Sequence, residues 1–171
     1  MGLRINCGSG QRPFITGGWI NIDKVAHPGM PKPDVLCDGK DMPFPDNSAS
    51  VIVLHQTLEH LWPGDASGLV KKCYEVLHPG GSLLVFVPDL RALAARWLTG
   101  QMDTQLYMTN LYGAYMGHEE DRHKWGFDYR HLWMFLSEVA PWRIVAPFDW
   151  REVEGASLAR DFWVLSMEAI K

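Results

Sequence analysis

The chain has 171 residues, with 16 basic and 20 acidic side chains and a formal charge of −4. That length fits one domain with a real core, and 47% apolar against 21% charged residues excludes a mostly disordered chain. A pI near 5.9 and the absence of a Lys/Arg run leave no general footprint for duplex nucleic acid. Cys7, Cys37 and Cys73 are odd in number and lack CxxC spacing, which argues against a disulfide framework and a cysteine zinc site. The longest apolar runs, such as Leu83–Val87, are far too short for a membrane span. With strand residues starting at Leu3 there is no room for a signal peptide, so the expected compartment is the cytoplasm. Six of the eight tryptophans lie at or after position 97, which concentrates aromatic weight in the second half.

No repeat or linker divides the sequence. Leu3–Asn6 reads as a short strand running into Cys7-Gly8-Ser9-Gly10. Trp19–Asp23 alternates and ends on an acid, and Asp34–Cys37 is followed by another, Asp38. Ser50–His55 holds Val51-Ile52-Val53-Leu54, the run expected of a strand buried on both faces. Asp65–Leu77 is helical by the stripe Leu69, Val70, Cys73, Val76 and Leu77, with Asp65 or Ser67 as cap and His78-Pro79-Gly80-Gly81 as stop. Ser82–Val87 is a second buried strand. Asp89 then caps a helix whose stripe is Leu90, Leu93, Ala94, Trp97 and Leu98, closed by Gly100. This alternation predicts right-handed crossovers and a mainly parallel sheet with helices on both faces.

From 101 to 127 the rhythm breaks into an insert. Thr104–Tyr115 is predicted helical and Gly117–Lys124 a charged loop carrying His118 and His123. Asp128–Val139 returns to an amphipathic helix. Trp142–Trp150 and Phe162–Ile170 read as two last strands joined by a polar hairpin loop at 151–161, which adds an antiparallel strand at one edge.

In an open α/β sheet, ligands bind beyond the carboxyl ends of the strands. The four strand ends deliver Cys7-Gly8-Ser9-Gly10, Asp23, Asp38, and His55 with Gln56. Glycines admit close backbone approach. One acid can accept from a ribose diol and another from an adenine amine, which together describe an adenosine-containing ligand. A dinucleotide fingerprint needs a third glycine and a helix facing a pyrophosphate. Pro13 stands at the third position, and only 15 positions separate Gly8 from Asp23, too few for a crossover helix. S-adenosylmethionine (SAM), which has no phosphate, is favoured over NAD.

At these residues the sequence resembles a class I SAM-dependent methyltransferase of the compact type 11 group. The resemblance rests on Leu3–Gly10, Gly18–Asp23, Asp38, Met42-Pro43-Phe44-Pro45-Asp46-Asn47-Ser48, His55–Leu61, Glu75–Leu83 and Val87–Leu90. It implies a single Rossmann-like α/β domain over 1–171, seven strands in the order 3-2-1-4-5-7-6, and an antiparallel last strand. It assigns Gly8 and Gly10 to the methionyl side of SAM, Asp23 to the ribose, Asp38 to the adenine amine, and His55 and Gln56 to the wall beside the donor. Asn6, Cys7 and Gly39 join them as cofactor-binding positions. The expected activity is methyl transfer to a small-molecule or glycan acceptor at oxygen, with a non-catalytic SAM-binding or scaffold subunit as the alternative.

Gln56, Glu59 and His60 share one helical face. In some methyltransferases Glu, Glu and His at such positions hold a divalent metal. Here the first residue is the neutral Gln56, so Glu59 and His60 are read as orienting a turn or contacting the acceptor, and no metal is expected. The 101–127 insert is expected to cover the acceptor site, with His118 or His123 as catalytic base. The compact architecture leaves room for completion by a second copy, a homodimer.

Overall fold

The computed structural model describes residues 2–10, 13–14, 16–115, 117–149 and 163–171. Strands β1 (Leu3–Cys7), β2 (Trp19–Asp23), β3 (Val35–Leu36), β4 (Ala49–His55), β5 (Leu77–Pro88), β6 (Ile144–Pro147) and β7 (Val164–Ile170) form one sheet. Its order is β3-β2-β1-β4-β5-β7-β6, as the resemblance implied. β7 runs antiparallel to both β5 and β6, and the other neighbouring pairs are parallel. The predicted 151–161 hairpin loop lies outside the described residues. Among the described residues no helix is long and apolar enough to cross a membrane.

Helix α1 (Pro63–Val76) buries Ala66, Leu69, Val70, Cys73 and Val76 on one stripe. It starts two residues before the predicted cap because Pro63 occupies its first turn, where a missing N–H costs nothing. Asp65 accepts a hydrogen bond from Lys40 at 2.6 Å instead of capping, and Ser67 Oγ donates to the Pro63 carbonyl. Helix α2 (Leu90–Leu98) is capped as expected by Asp89, which accepts from Arg91 N and Ala92 N. Helix α3 (Thr104–Tyr112) stops three residues short of the predicted end. The chain turns at Gly113 (φ 83°), where a Cβ would collide with the Asp121 carbonyl. Helix α4 (Tyr129–Val139) is capped by Asp128 and buries Leu132, Phe135 and Leu136.

Alternation along the strands divides the core. Ile5, Cys7, Ile22, Ile52, Leu54, Leu83, Val85 and Met167 share one cluster with the apolar stripes of α1 and α4. The intervening residues Val53, Leu84 and Phe86 form a smaller cluster with Phe14 and Trp19, and Phe148 and Val164 pack against it. Among the described residues no helix lies between β1 and β2. There Asn21 Oδ1 accepts from Phe14 N (2.8 Å) and Asn21 Nδ2 donates to the Phe14 carbonyl (3.0 Å), which ties this short link onto the sheet.

Candidate functional site

The carboxyl ends of β1, β2 and β4 open into a crevice of about 800 Å³, including space open to solvent. Its lining includes Cys7, Gly8, Gly10, Asp23, Asp38, Gly39 and Gln56, seven of the positions expected to bind the cofactor. The glycine turn is held by the end of β2. Gly8 N and Ser9 N both donate to the Ile22 carbonyl (2.9 and 3.1 Å), and Gly10 N donates to Asp23 Oδ2 at 2.7 Å. Gly8 has φ 76°, and a Cβ there would collide with the Thr57 hydroxyl, which donates to the Cys7 carbonyl. Gly10 (φ 53°) has open space where a Cβ would stand. The two glycines thus serve different ends, close packing at one and access at the other.

Asp23 also accepts from Val25 N through Oδ1 at 2.9 Å. Each of its oxygens retains a second lone pair. Asp38 accepts from Lys40 N and caps the 3-10 turn Gly39–Asp41. At Gly39 a Cβ would stand 2.7 Å from both Cys7 Sγ and Leu69, so only glycine passes beneath the crevice floor. Gln56 has a positive φ of 51°, a sparsely populated conformation for a residue with a side chain. Its N–H is fixed on the Phe86 carbonyl at 2.8 Å.

Two expected cofactor positions do not line the crevice. His55 lies on the other face of β4, its ring 5.9 Å from Phe86 and 6.4 Å from Phe14, because strand alternation turns it away from Leu54. Asn6 is buried beneath the turn and donates to Asn21 Oδ1 at 2.9 Å. Neither expected base lines it. His118 packs edge to face on His27, which does line it, at 5.3 Å. His123 stands behind His60, ring centroids 4.7 Å apart, with Nδ1 against the Asn110 carbonyl.

His60, read from the sequence as orienting a turn or contacting the acceptor, lines the crevice, and so do four residues the sequence did not mark for it, His27, Thr57, Glu120 and Asp121. The last two belong to a 3-10 turn (Glu119–Asp121) of the insert, and Lys24 pairs with Glu120 at 3.4 Å across the rim. Burial lowers the basicity of both imidazoles in the His60–His123 pair, to about 4 at His123. Glu59 is 1% exposed and its carboxyl is pushed up to about 8 by burial.

The crevice chemistry discriminates among ligands. The main-chain N–H groups of Gly8, Ser9 and Gly10 are all engaged internally, so these described residues of the turn offer a diphosphate no free main-chain donor. Among the described lining residues, four acids (Asp23, Asp38, Glu120, Asp121) face one lysine, Lys24. Such a lining suits a nucleoside that carries positive charge and no phosphate, which fits SAM.

Residues 21–85 match the family model of a methyltransferase domain. Over 49 residues the chain is 45% identical to a probable S-adenosylmethionine-dependent methyltransferase of Mycolicibacterium smegmatis, covering 29% of this chain and 18% of that protein. Over 66 residues it is 38% identical to a ubiquinone/menaquinone biosynthesis C-methyltransferase of Neisseria meningitidis, covering 39% of this chain and 26% of that one. The chain therefore spans about a quarter or less of the length of these curated relatives. Among solved structures, a SAM-dependent methyltransferase from Archaeoglobus fulgidus superposes with a TM-score of 0.64 at 16% identity, over 99% of this chain and 86% of that one. A Burkholderia thailandensis 1,6-didemethyltoxoflavin-N1-methyltransferase, solved with S-adenosylhomocysteine, gives 0.58 at 15% identity, over 99% and 70%. The chain thus shares the fold of SAM-dependent methyltransferases and, over residues 21–85, is similar in sequence to a methyltransferase domain.

Proposed function

We propose that this chain binds SAM in the crevice at the ends of β1, β2 and β4 and methylates a small-molecule or glycan acceptor at oxygen. The observation that carries the donor half is the internally satisfied glycine turn beside Asp23 and Asp38. SAM supplies a methyl group on a sulfonium, an already activated leaving group. The protein's task is then mainly orientation, which can contribute roughly 7–11 kcal/mol to lowering a barrier. Asp23 braces the turn through Gly10 N and Val25 N and keeps lone pairs for a ribose diol. Asp38, fixed by Lys40 N, serves the adenine amine. Asn6 and His55 support the floor from below.

The insert lends Glu120 and Asp121 to the rim and so bounds the acceptor side. An acceptor hydroxyl requires a base within hydrogen-bond reach. His27 is the lining imidazole outside the His60–His123 pair, and His118 orients it by edge-to-face contact. His123, with its Nδ1 committed and its basicity lowered, is left out of that role. Incubation with SAM and pools of hydroxylated metabolites or oligosaccharides should release S-adenosylhomocysteine, and His27→Ala should slow the release by about 10²-fold or more. Turnover on amine pools alone would move the acceptor atom to nitrogen. SAM binding without turnover in any pool would favour the scaffold alternative.

A further inference from the structure

A second cluster stands where the β4–α1 connection meets the insert. Glu59, His60 and His123 each offer a donor atom, and the three atoms lie within 4.8 Å of one another. Glu59 is 1% exposed, and neither of its carboxylate oxygens has a hydrogen-bond partner. His60 Nδ1 is likewise buried and unpartnered. A buried carboxylate with no partner costs several kcal/mol unless a cation or a proton compensates it. His123 is already prepared as a ligand. Its Nδ1 on the Asn110 carbonyl favours the tautomer whose Nε2 lone pair is free, the usual outer support of a metal-bound imidazole.

We propose that Glu59, His60 and His123 bind one divalent transition cation of the Zn²⁺ type, between the β4–α1 connection and the insert. One carboxylate and two imidazoles suit Zn²⁺ and its borderline neighbours better than Mg²⁺, which prefers oxygen donors. Gln56 is not among the three, so the site differs from a Glu, Glu and His set on one helical face. Lys124 N and Trp125 N both donate to the Glu59 carbonyl (2.7 and 3.1 Å), so the backbone beside His123 is already anchored at the site. With bonds of about 2.0–2.1 Å, donors of a tetrahedral cation stand roughly 3.4 Å apart. Loading therefore draws the three inward and clamps the insert onto the crevice wall, of which His60 is part. The cation's fourth position is left for water or an acceptor oxygen.

The test uses chelator-treated full-length protein titrated with Co²⁺ and followed by its visible ligand-field absorption, with Zn²⁺ as competitor. The expected result is one equivalent of Co²⁺ per chain, displaced by Zn²⁺, with affinity falling by about 100-fold or more in Glu59→Gln and in His123→Ala. His123→Ala, on the insert, serves if Glu59→Gln does not fold, and Zn²⁺ should also raise the melting temperature of the unmutated chain. Asp23→Ala separates this site from the donor crevice, since it should lose S-adenosylhomocysteine binding and keep Co²⁺ binding. Absence of stoichiometric binding, or equal affinity in the variants, overturns the proposal.

Discussion

The crevice floor and the insert above it are built on different terms. The floor is main chain held mostly at strand ends. Its turn is pinned to Ile22 and Asp23, its glycines are set by close approach and positive φ, and its acids end paired strands. The insert rests on side chains and a few backbone bonds. Helix α3 buries none of its residues, Leu106, Met108 and Tyr112 are exposed, and its ties to the floor include one rim ion pair, a His–His contact and the two N–H groups on Glu59. A region fixed by backbone geometry tolerates few substitutions. One fixed by side chains can change specificity while the fold persists.

The comparison breaks most visibly at Gly8. Gly8→Val adds branched carbon against Thr57 at a φ of 76°, and strain plus overpacking should cost roughly 2–5 kcal/mol in urea unfolding. A loss below 1 kcal/mol would show the floor to be as pliant as the insert. Next comes Asp23→Ala, which strips the acceptor from Gly10 N and Val25 N together with the proposed diol contacts. Charged hydrogen bonds contribute about 1.5–3 kcal/mol each, so SAM affinity should fall by about 100-fold or more in calorimetry.

A pH dependence sharpens the junction between the two regions. Glu59 has a carboxyl raised from 4.5 to about 8, so between those values the folded state holds a proton that the unfolded state has lost. Stability in the presence of a chelator should therefore fall as pH rises from about 4.5 to about 8, and this component of the slope should vanish in Glu59→Gln. Identical slopes in the two proteins would contradict the burial of that carboxyl. The smallest effect belongs to the rim. Lys24 and Glu120 are each 41% exposed, and Lys24→Ala should change stability by no more than about 1 kcal/mol.

The same contrast explains what was legible in the sequence. Gly8, Gly10, Asp23 and Asp38 were readable because turn chemistry and strand ends are local, and the sheet order followed from the resemblance they carry. Gln56 was placed at the crevice, but nothing local announces the positive φ that turns it there while His55 faces Phe86. The cap expected at Asp65 gave way to Pro63 and to a distant lysine, Lys40. The pairing of His60 with His123, and of His27 with His118, is made by tertiary packing across long stretches of chain. No periodicity encodes such contacts, so the histidines were legible as chemistry and not as positions.

Calorimetric titration of the full chain with S-adenosylhomocysteine, repeated with NAD, tests the ligand of the crevice most directly. One site that binds S-adenosylhomocysteine in the unmutated protein, is lost in Asp23→Ala and is indifferent to NAD is the predicted result. Tighter binding of NAD, or no heat from S-adenosylhomocysteine at millimolar concentration, would contradict it.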